Sequence, residues 1–306
     1  MGLIYGNFSE KQKQVFNSFN EKIVDLAYAP LAGVEHVSFE DIKKATPKII
    51  IDRLDWTKAT RLSQPRSIEE IREWINRSQD EEYPSFGEKS VDSGEPSYDA
   101  RCSISAMDDY MCVMIDGPGS SGNWSVELED LPFKVGFWPN GQKPYEGARE
   151  PAYSTNNYET GTEVSGHSTA FIISAAIPEA EKLAIGELEI LVAWESALSF
   201  RAVEKGFQGW SMNVITAWST TCRLIVAEVD YELSATKLHV DDPIELEKHT
   251  KNTPEIEILL GWMLPHVKGD LRCLHLPASE KLHGRMSTLS IQPTDEANKA
   301  AIDNSD

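Results

Sequence analysis

Cys222-Arg223-Leu224-Ile225-Val226-Ala227-Glu228-Val229-Asp230-Tyr231-Glu232-Leu233 is the stretch that decides how the chain reads. A strand sends successive side chains to opposite faces. Ile225, Ala227, Val229, Tyr231 and Leu233 make one face, apolar throughout. Leu224, Val226, Glu228, Asp230 and Glu232 make the other, which turns acidic after Val226. The alternation predicts a strand half-buried against a core, with its acidic face in solvent.

Upstream lie three more apolar stretches, Ser168 to Ile177, Leu188 to Phe200 (LEILVAWESALSF) and Trp210 to Trp218, all read as strands. Further strand candidates are Cys102 to Met107, Tyr110 to Ile115, Trp124 to Leu128 and Phe133 to Trp138. They are separated by turn residues such as Asp116 to Asn123 and Pro139-Asn140-Gly141. Residues 142–166 are polar and read as a long loop, a length that inside a compact domain points to a contact surface.

The flanks differ. Ser9 to Leu26 has a helical apolar stripe with Ser9 as N-cap, and Ser67 with Glu70 forms a capping box ahead of Ile68, Ile71, Trp74 and Ile75. Between them Lys48 to Asp52 can pair as a short strand. Residues 79–99 are acidic and rich in Ser, Pro and Gly, a linker composition. Pro254 to Leu264 carries a further helical stripe, and residues 292–306 form a polar tail. The predicted fold is therefore mainly β: a two-layer β-sandwich of jelly-roll type over residues 101–235. A helical N-terminal region with its acidic linker (1–100) precedes it, and a mixed C-terminal extension (236–306) follows.

Composition excludes several roles. The 306 residues carry 29 basic and 49 acidic side chains, a net charge of −20, with no run of Lys or Arg. Phosphate binding draws its affinity from Lys and Arg, so direct nucleic-acid binding is not expected, nor is docking on an anionic membrane. The charge suits a protein that must stay soluble while it assembles. No stretch approaches the roughly 20 apolar residues of a membrane span. The N-terminus has neither a basic nor an apolar signal region, and Gly6 stands where a myristoylation site needs Ser or Thr. Cys102, Cys112, Cys222 and Cys273 lack CxxC spacing and read as free thiols, with a Cys102–Cys112 hairpin bridge as the alternative. The sequons at Asn7, Asn76 and Asn123 carry no weight without a secretion signal.

Chemistry-bearing motifs are sparse. Gly166-His167-Ser168-Thr169-Ala170 has the outline of a G-x-S-x-G nucleophile elbow, with Asp230 and His266 or His275 following in triad order. The residues before it, Tyr158 to Val164, are too polar for the buried strand that an elbow terminates, so a Gly-turn leading into a strand is the favoured reading. The seven histidines (His36, His167, His239, His249, His266, His275, His283) show no metal-ligand spacing. His239-Val240-Asp241-Asp242 places two ligand types close together but reads as a solvated turn. A glycosidase-type carboxylate pair has too many candidates to be located, and the Gly-rich 116–123 turn lacks the phosphate-loop Lys. No catalytic residue, metal or cofactor is predicted.

Ile185-Gly186-Glu187-Leu188-Glu189-Ile190-Leu191-Val192-Ala193-Trp194-Glu195 resembles the G-x-L-x-V-x-[YW]-[ED] pattern of a late strand in jelly-roll coat proteins of small positive-strand RNA viruses. Without a basic arm, the chain looks closer to the picorna-like than to the tombusvirus-like branch. The resemblance implies a structural subunit of an icosahedral capsid, not an enzyme, assembled in the host cytoplasm into the virion. Its partners would be other copies of itself or related capsid subunits. Trp74, Trp210 and Trp262, outside the tightest strand patterns, are the expected interface anchors. The alternatives are a carbohydrate-binding or adhesion module using Trp138, Tyr145, Tyr153 and Tyr158 of the long loop, and a serine esterase using Ser168.

Overall fold

The computed structural model describes residues 8–18, 35–77, 99–100, 102–103, 107, 167–174, 176–188, 190–192, 195, 199, 206–246 and 253–268. Along the chain these form helix α1 (Glu10–Asn17), strand β1 (His36–Ser38), helix α2 (Phe39–Ala45), strand β2 (Ile49–Arg53), strand β3 (Ser63–Gln64) and helix α3 (Ile68–Arg77). Strands β4 (His167–Ile173) and β5 (Lys182–Ala184) follow, then β6 (Gly209–Trp218), β7 (Thr221–Asp230), β8 (Ala235–Val240) and β9 (Ile244–Glu245). Helix α4 (Pro254–Met263) and strand β10 (His266–Val267) come last.

The centre is one six-stranded mixed sheet in the order β2-β8-β7-β6-β4, with β9 pairing the start of β7. Strands β6, β7 and β8 form an antiparallel meander. The outer strands run parallel to their neighbours, Ile49 beside Thr236 in β8 and His167 beside Ser211 in β6. The β6–β7 connection is the two-residue turn Ser219-Thr220, and Ser219 takes the left-handed φ of 50° that tight hairpins demand.

Both faces of this sheet are buried over its central strands, while Ile50, Asp52 and Lys237 at the β2 edge of the second face reach solvent. On the first, Ile225, Ala227 and Val229 of β7 and Tyr231 just past its end join Trp210, Met212 and Val214 of β6, Ile49 and Ile51 of β2, and Leu238 and Val240 of β8. Ile42 of α2 and Val15 of α1 cover them. On the second, Cys222, Leu224 and Val226 join Phe171, Ile215 and Ala217, under Ile71 of α3 and Ile256, Leu259, Leu260, Trp262 and Met263 of α4. Every residue of β7 is consequently buried.

Several local expectations hold. Ser9 caps α1 through a capping box with Gln12. Ser67 and Glu70 cap α3 reciprocally, Glu70 N donating to Ser67 Oγ at 3.2 Å and Ser67 N to Glu70 Oε2 at 2.8 Å. Strands β2, β4, β6 and β7 and helix α4 fall where the apolar patterns place them.

Others do not. The acidic side of β7 does not face solvent: Glu228 and Asp230 are buried. Residues 185–188, 190–192, 195 and 199, read as a strand, are helical. Leu188, Leu191, Glu195 and Ser199 fit a helical face better than an alternating one, and all four are buried. Residues 102, 103 and 107 are helical too. Beside the central sheet the described residues form two two-stranded antiparallel sheets, β1 with β5 and β3 with β10, and with helices packed against both faces of the central sheet they do not make the second layer of a two-layer sandwich. The sheet takes β2 from 1–100, β4, β6 and β7 from 101–235, and most of β8 from 236–306. The strand candidates 110–115, 124–128 and 133–138, and nearly all of the 79–99 linker, lie outside the described residues. Among the described residues no helix is long and apolar enough to cross a membrane.

Candidate functional site: the polar half of the second sheet face

The second face is apolar at one end only. Its other end carries buried polar side chains in two rows across the strands: His167, Ser211 and Glu228 in one, Thr169 and Asn213 in the next, the latter continuing through apolar Val226 to His239. Polar atoms at this depth need partners. The partners come from a strap, residues 54–66, that leaves β2 and crosses this end of the sheet, and from the C-terminal end of α4.

Leu62 N donates to Glu228 Oε1 at 2.7 Å, and Arg61 Nη1 donates to Asp230 Oδ2 at 2.7 Å. Ser63 and Ser211 share a hydroxyl contact at 3.3 Å. From the sheet, Thr169 Oγ1 donates to Met263 O at 2.8 Å and Asn213 Nδ2 to Trp262 O at 2.6 Å. These carbonyls belong to the last turn of α4, which a helix leaves without internal donors. Arg66 closes the end: its backbone N donates to Gly261 O and its Nε to Leu264 O. Gly261 is required there, because a Cβ at this position would lie 2.6 Å from Arg66 O.

Charge in the cluster follows from these contacts. Burial raises the Glu228 pKa, but the nearby His239 ring, Thr60 and the Leu62 N–H together hold it below the usual carboxylate value. His239 Nε2 stands 3.6 Å from Glu228 Oε2. Burial lowers the His167 pKa to about 4, with the Glu228 charge pulling the other way, so the ring is neutral at pH 7. At the far end of β8, burial raises the Asp241 carboxyl to about 7, against the hydrogen bonds from Trp56 and Asp242. The Cys222 thiol is free, buried and pushed well above its ordinary pKa, first by burial and then by Asp241 and Glu245. Such a thiol is unreactive.

Of the triad outlined by the sequence, Ser168, Asp230 and His266 are described, and they are not brought together. Ser168 is the second residue of β4, beside Met212 in the register, whereas an elbow needs its Ser just past a strand's C-terminal end. Asp230 is engaged by Arg61 and by the backbone of Glu232 and Leu233. His266 stands 2.8 Å from Glu70. Among the described residues no group of three His, Cys, Asp or Glu side chains could hold a metal ion, His239 and Asp241 included.

Two of the three anchor tryptophans belong to the chain's own core. Trp210 is 1% exposed on the first face and Trp262 is 0% exposed on the second, its indole donating to Trp56 O at 3.0 Å. In the folded chain neither presents a surface to a partner. Trp74 lies in α3, with its side chain outside those described, and Trp138, Tyr145, Tyr153, Tyr158, Cys112, Cys273 and His275 also lie outside the described residues.

Sequence reasoning missed the strap. Residues 54–66 have no period, and their contact with Glu228 and Asp230 spans more than 160 positions. The one available signal was the pair of acids in an otherwise apolar strand, which marks either a wet face or a buried polar tie. Comparison of the chain with protein-family models, with curated proteins and with solved structures finds no match.

Proposed function

We propose that the protein is a structural subunit that works by associating with further copies of itself or with related chains, an icosahedral virus shell being the narrowest form of that role. The observation that carries the structural over the catalytic reading is how the interior polar groups are used. Glu228, Asp230, Thr169, Asn213, Arg66 and the buried pair Arg223–Glu187 each tie one segment of the chain to another. A body cross-braced in this way suits a load-bearing plate, and the charge of −20 keeps such a plate soluble at the concentrations assembly demands.

The jelly-roll motif does not support the shell form, because its residues 185–195 are helical wherever they are described. The sheet edge does support association. Among the described residues β2 pairs only with β8, and Ile50 on β2 is 48% exposed, so a neighbouring chain can add to that edge.

Size-exclusion chromatography with light scattering, followed by negative-stain microscopy, tests the role. Oligomers or particles that grow with concentration are expected, and Ile50→Lys should reduce them. A monomer at every concentration removes the proposal.

A further inference from the structure

We propose that β2 is a dimerisation strand: two copies of the chain pair β2 to β2, antiparallel about a two-fold axis, with Ile50 opposite Ile50 of the partner subunit. This rests on the chain being a self-associating subunit, and it fixes the partner as a second copy and the register at the β2 edge.

The edge is open in its backbone. A residue in a strand points its N–H and C=O to one side, and its chain neighbours point theirs to the other. Lys48 O accepts from Thr236 N at 2.9 Å, and Leu54 N donates to Val240 O at 2.9 Å. The residues between them at even positions, Ile50 and Asp52, therefore face β8, and Ile49 and Ile51 send their backbone groups outward. Among the described residues no strand meets them there. The Ile49 N–H closes on Thr46 O at 3.2 Å, which leaves the Ile49 carbonyl and both Ile51 groups for a new ladder.

Side chains set the register. Lys48, Ile50 and Asp52 follow one another on one face of the strand line and all are exposed, Ile50 by 48%. A two-fold centred on Ile50 sets the two Ile50 side chains together and each Lys48 against the partner's Asp52. On the other face Ile49 meets the partner's Ile51. Moving the centre by one residue is worse in either direction: about Ile49 it puts Ile50 against the partner's Lys48, and about Ile51 against the partner's Asp52. The centre at Ile50 also suits the backbone. Ile50 then forms a non-hydrogen-bonded pair, where side chains come closest, while the Ile51 N–H reaches the carbonyl of the partner's Ile49.

The charges on this edge are arranged for such a pairing. Lys48 makes no ion pair among the described residues, Arg53 is taken by Asp242, and Lys237 holds Asp52 at the edge at 2.9 Å. Opposite charges across a strand pair stabilise it, and like charges do the reverse. Pro47, with no N–H, ends the ladder. So short a ladder holds two copies weakly, at high protein concentration.

Disulfide mapping of full-length cysteine variants, oxidised at high concentration, tests the register. The Cα atoms of a non-hydrogen-bonded pair lie about 4.5 Å apart, within disulfide reach. Ile50→Cys should give a 50–50 link between chains, and Lys48→Cys mixed with Asp52→Cys a 48–52 link. Lys48→Glu sets like charges opposite one another at two symmetric places and should raise the dimer dissociation constant about tenfold by sedimentation. Ile50→Cys chains that link instead to Lys48→Cys or Asp52→Cys chains overturn the proposal. A wild type that associates while Ile50→Cys chains stay unlinked also overturns it and leaves the associating role standing; a wild type monomeric at every concentration removes both.

Discussion

Replacing Arg223 by Met should be among the most damaging single changes available in this fold. Arg223 lies on β7 with a fully buried side chain, and so does its partner Glu187. Its Nε donates to Glu187 Oε1 at 3.0 Å, Nη2 donates to Glu187 Oε2, and Nη1 donates to the carbonyls of Glu179 at 2.6 Å and Lys182 at 2.9 Å. The guanidinium therefore staples residues 179–187 onto the first sheet face. Methionine fills much of the volume but leaves the Glu187 carboxylate with the Ala184 N–H as its one remaining bond described. An uncompensated buried charge costs about 3–5 kcal/mol. Removing both charges, with Arg223→Met and Glu187→Met together, relieves that penalty and leaves only the orphaned backbone groups, each worth roughly 1–3 kcal/mol. The double variant should then be more stable than the sum of the single changes by about 2–3 kcal/mol. Urea titrations followed by circular dichroism at pH 7 supply all four stabilities. A loss under 1 kcal/mol for Arg223→Met, or strict additivity in the cycle, refutes the reasoning.

Three other predictions concern the second face. His167 titrates at about 4 in the folded chain against 6.5 ordinarily. A base lowered in this way gives stability that is complete above pH 6.5 and drains away as pH falls toward 4, roughly 3 kcal/mol in all. Asp241, raised to about 7, has the opposite slope, its contribution draining away as pH rises from 3.8. His167→Leu should therefore gain roughly 3 kcal/mol relative to wild type between pH 6.5 and pH 4, as measured by chemical denaturation across that range. Gly261→Ala drives a methyl to within 2.6 Å of Arg66 O and should cost about 1–3 kcal/mol, seen as a lower urea midpoint. Ser67→Ala removes one half of the α3 capping box and should cost about 1 kcal/mol by the same measurement.

What the sequence made legible was local. The Ser9 and Ser67 caps, the short β2 run, α4 and the β6–β7 strands follow from residues within a few positions of one another. What it hid was set by distant partners. Glu228 and Asp230 look like a wet strand face until Arg61 and Leu62 arrive from across the chain. The apolar residues of 185–199 satisfy both an alternating and a helical pattern. Packing Leu188 and Leu191 onto the first sheet face goes with the helix. The Trp residues assigned to partners were large apolar surfaces, and the chain's own core took two of them. The polar site was half visible, as acids in a strand and as His167 in a motif, but the strap that closes it had no signature of its own.

The claim on which the rest stands is that β2, from the N-terminal part of the chain, lies parallel to β8 in the same sheet of the same molecule. Ile50 and Lys237 are register neighbours on the exposed side of that pairing. The double variant Ile50→Cys, Lys237→Cys, oxidised in dilute solution and mapped by peptide mass, reads the pairing directly. A 50–237 disulfide within one chain is the predicted result. No link, or a link found only between chains, contradicts it.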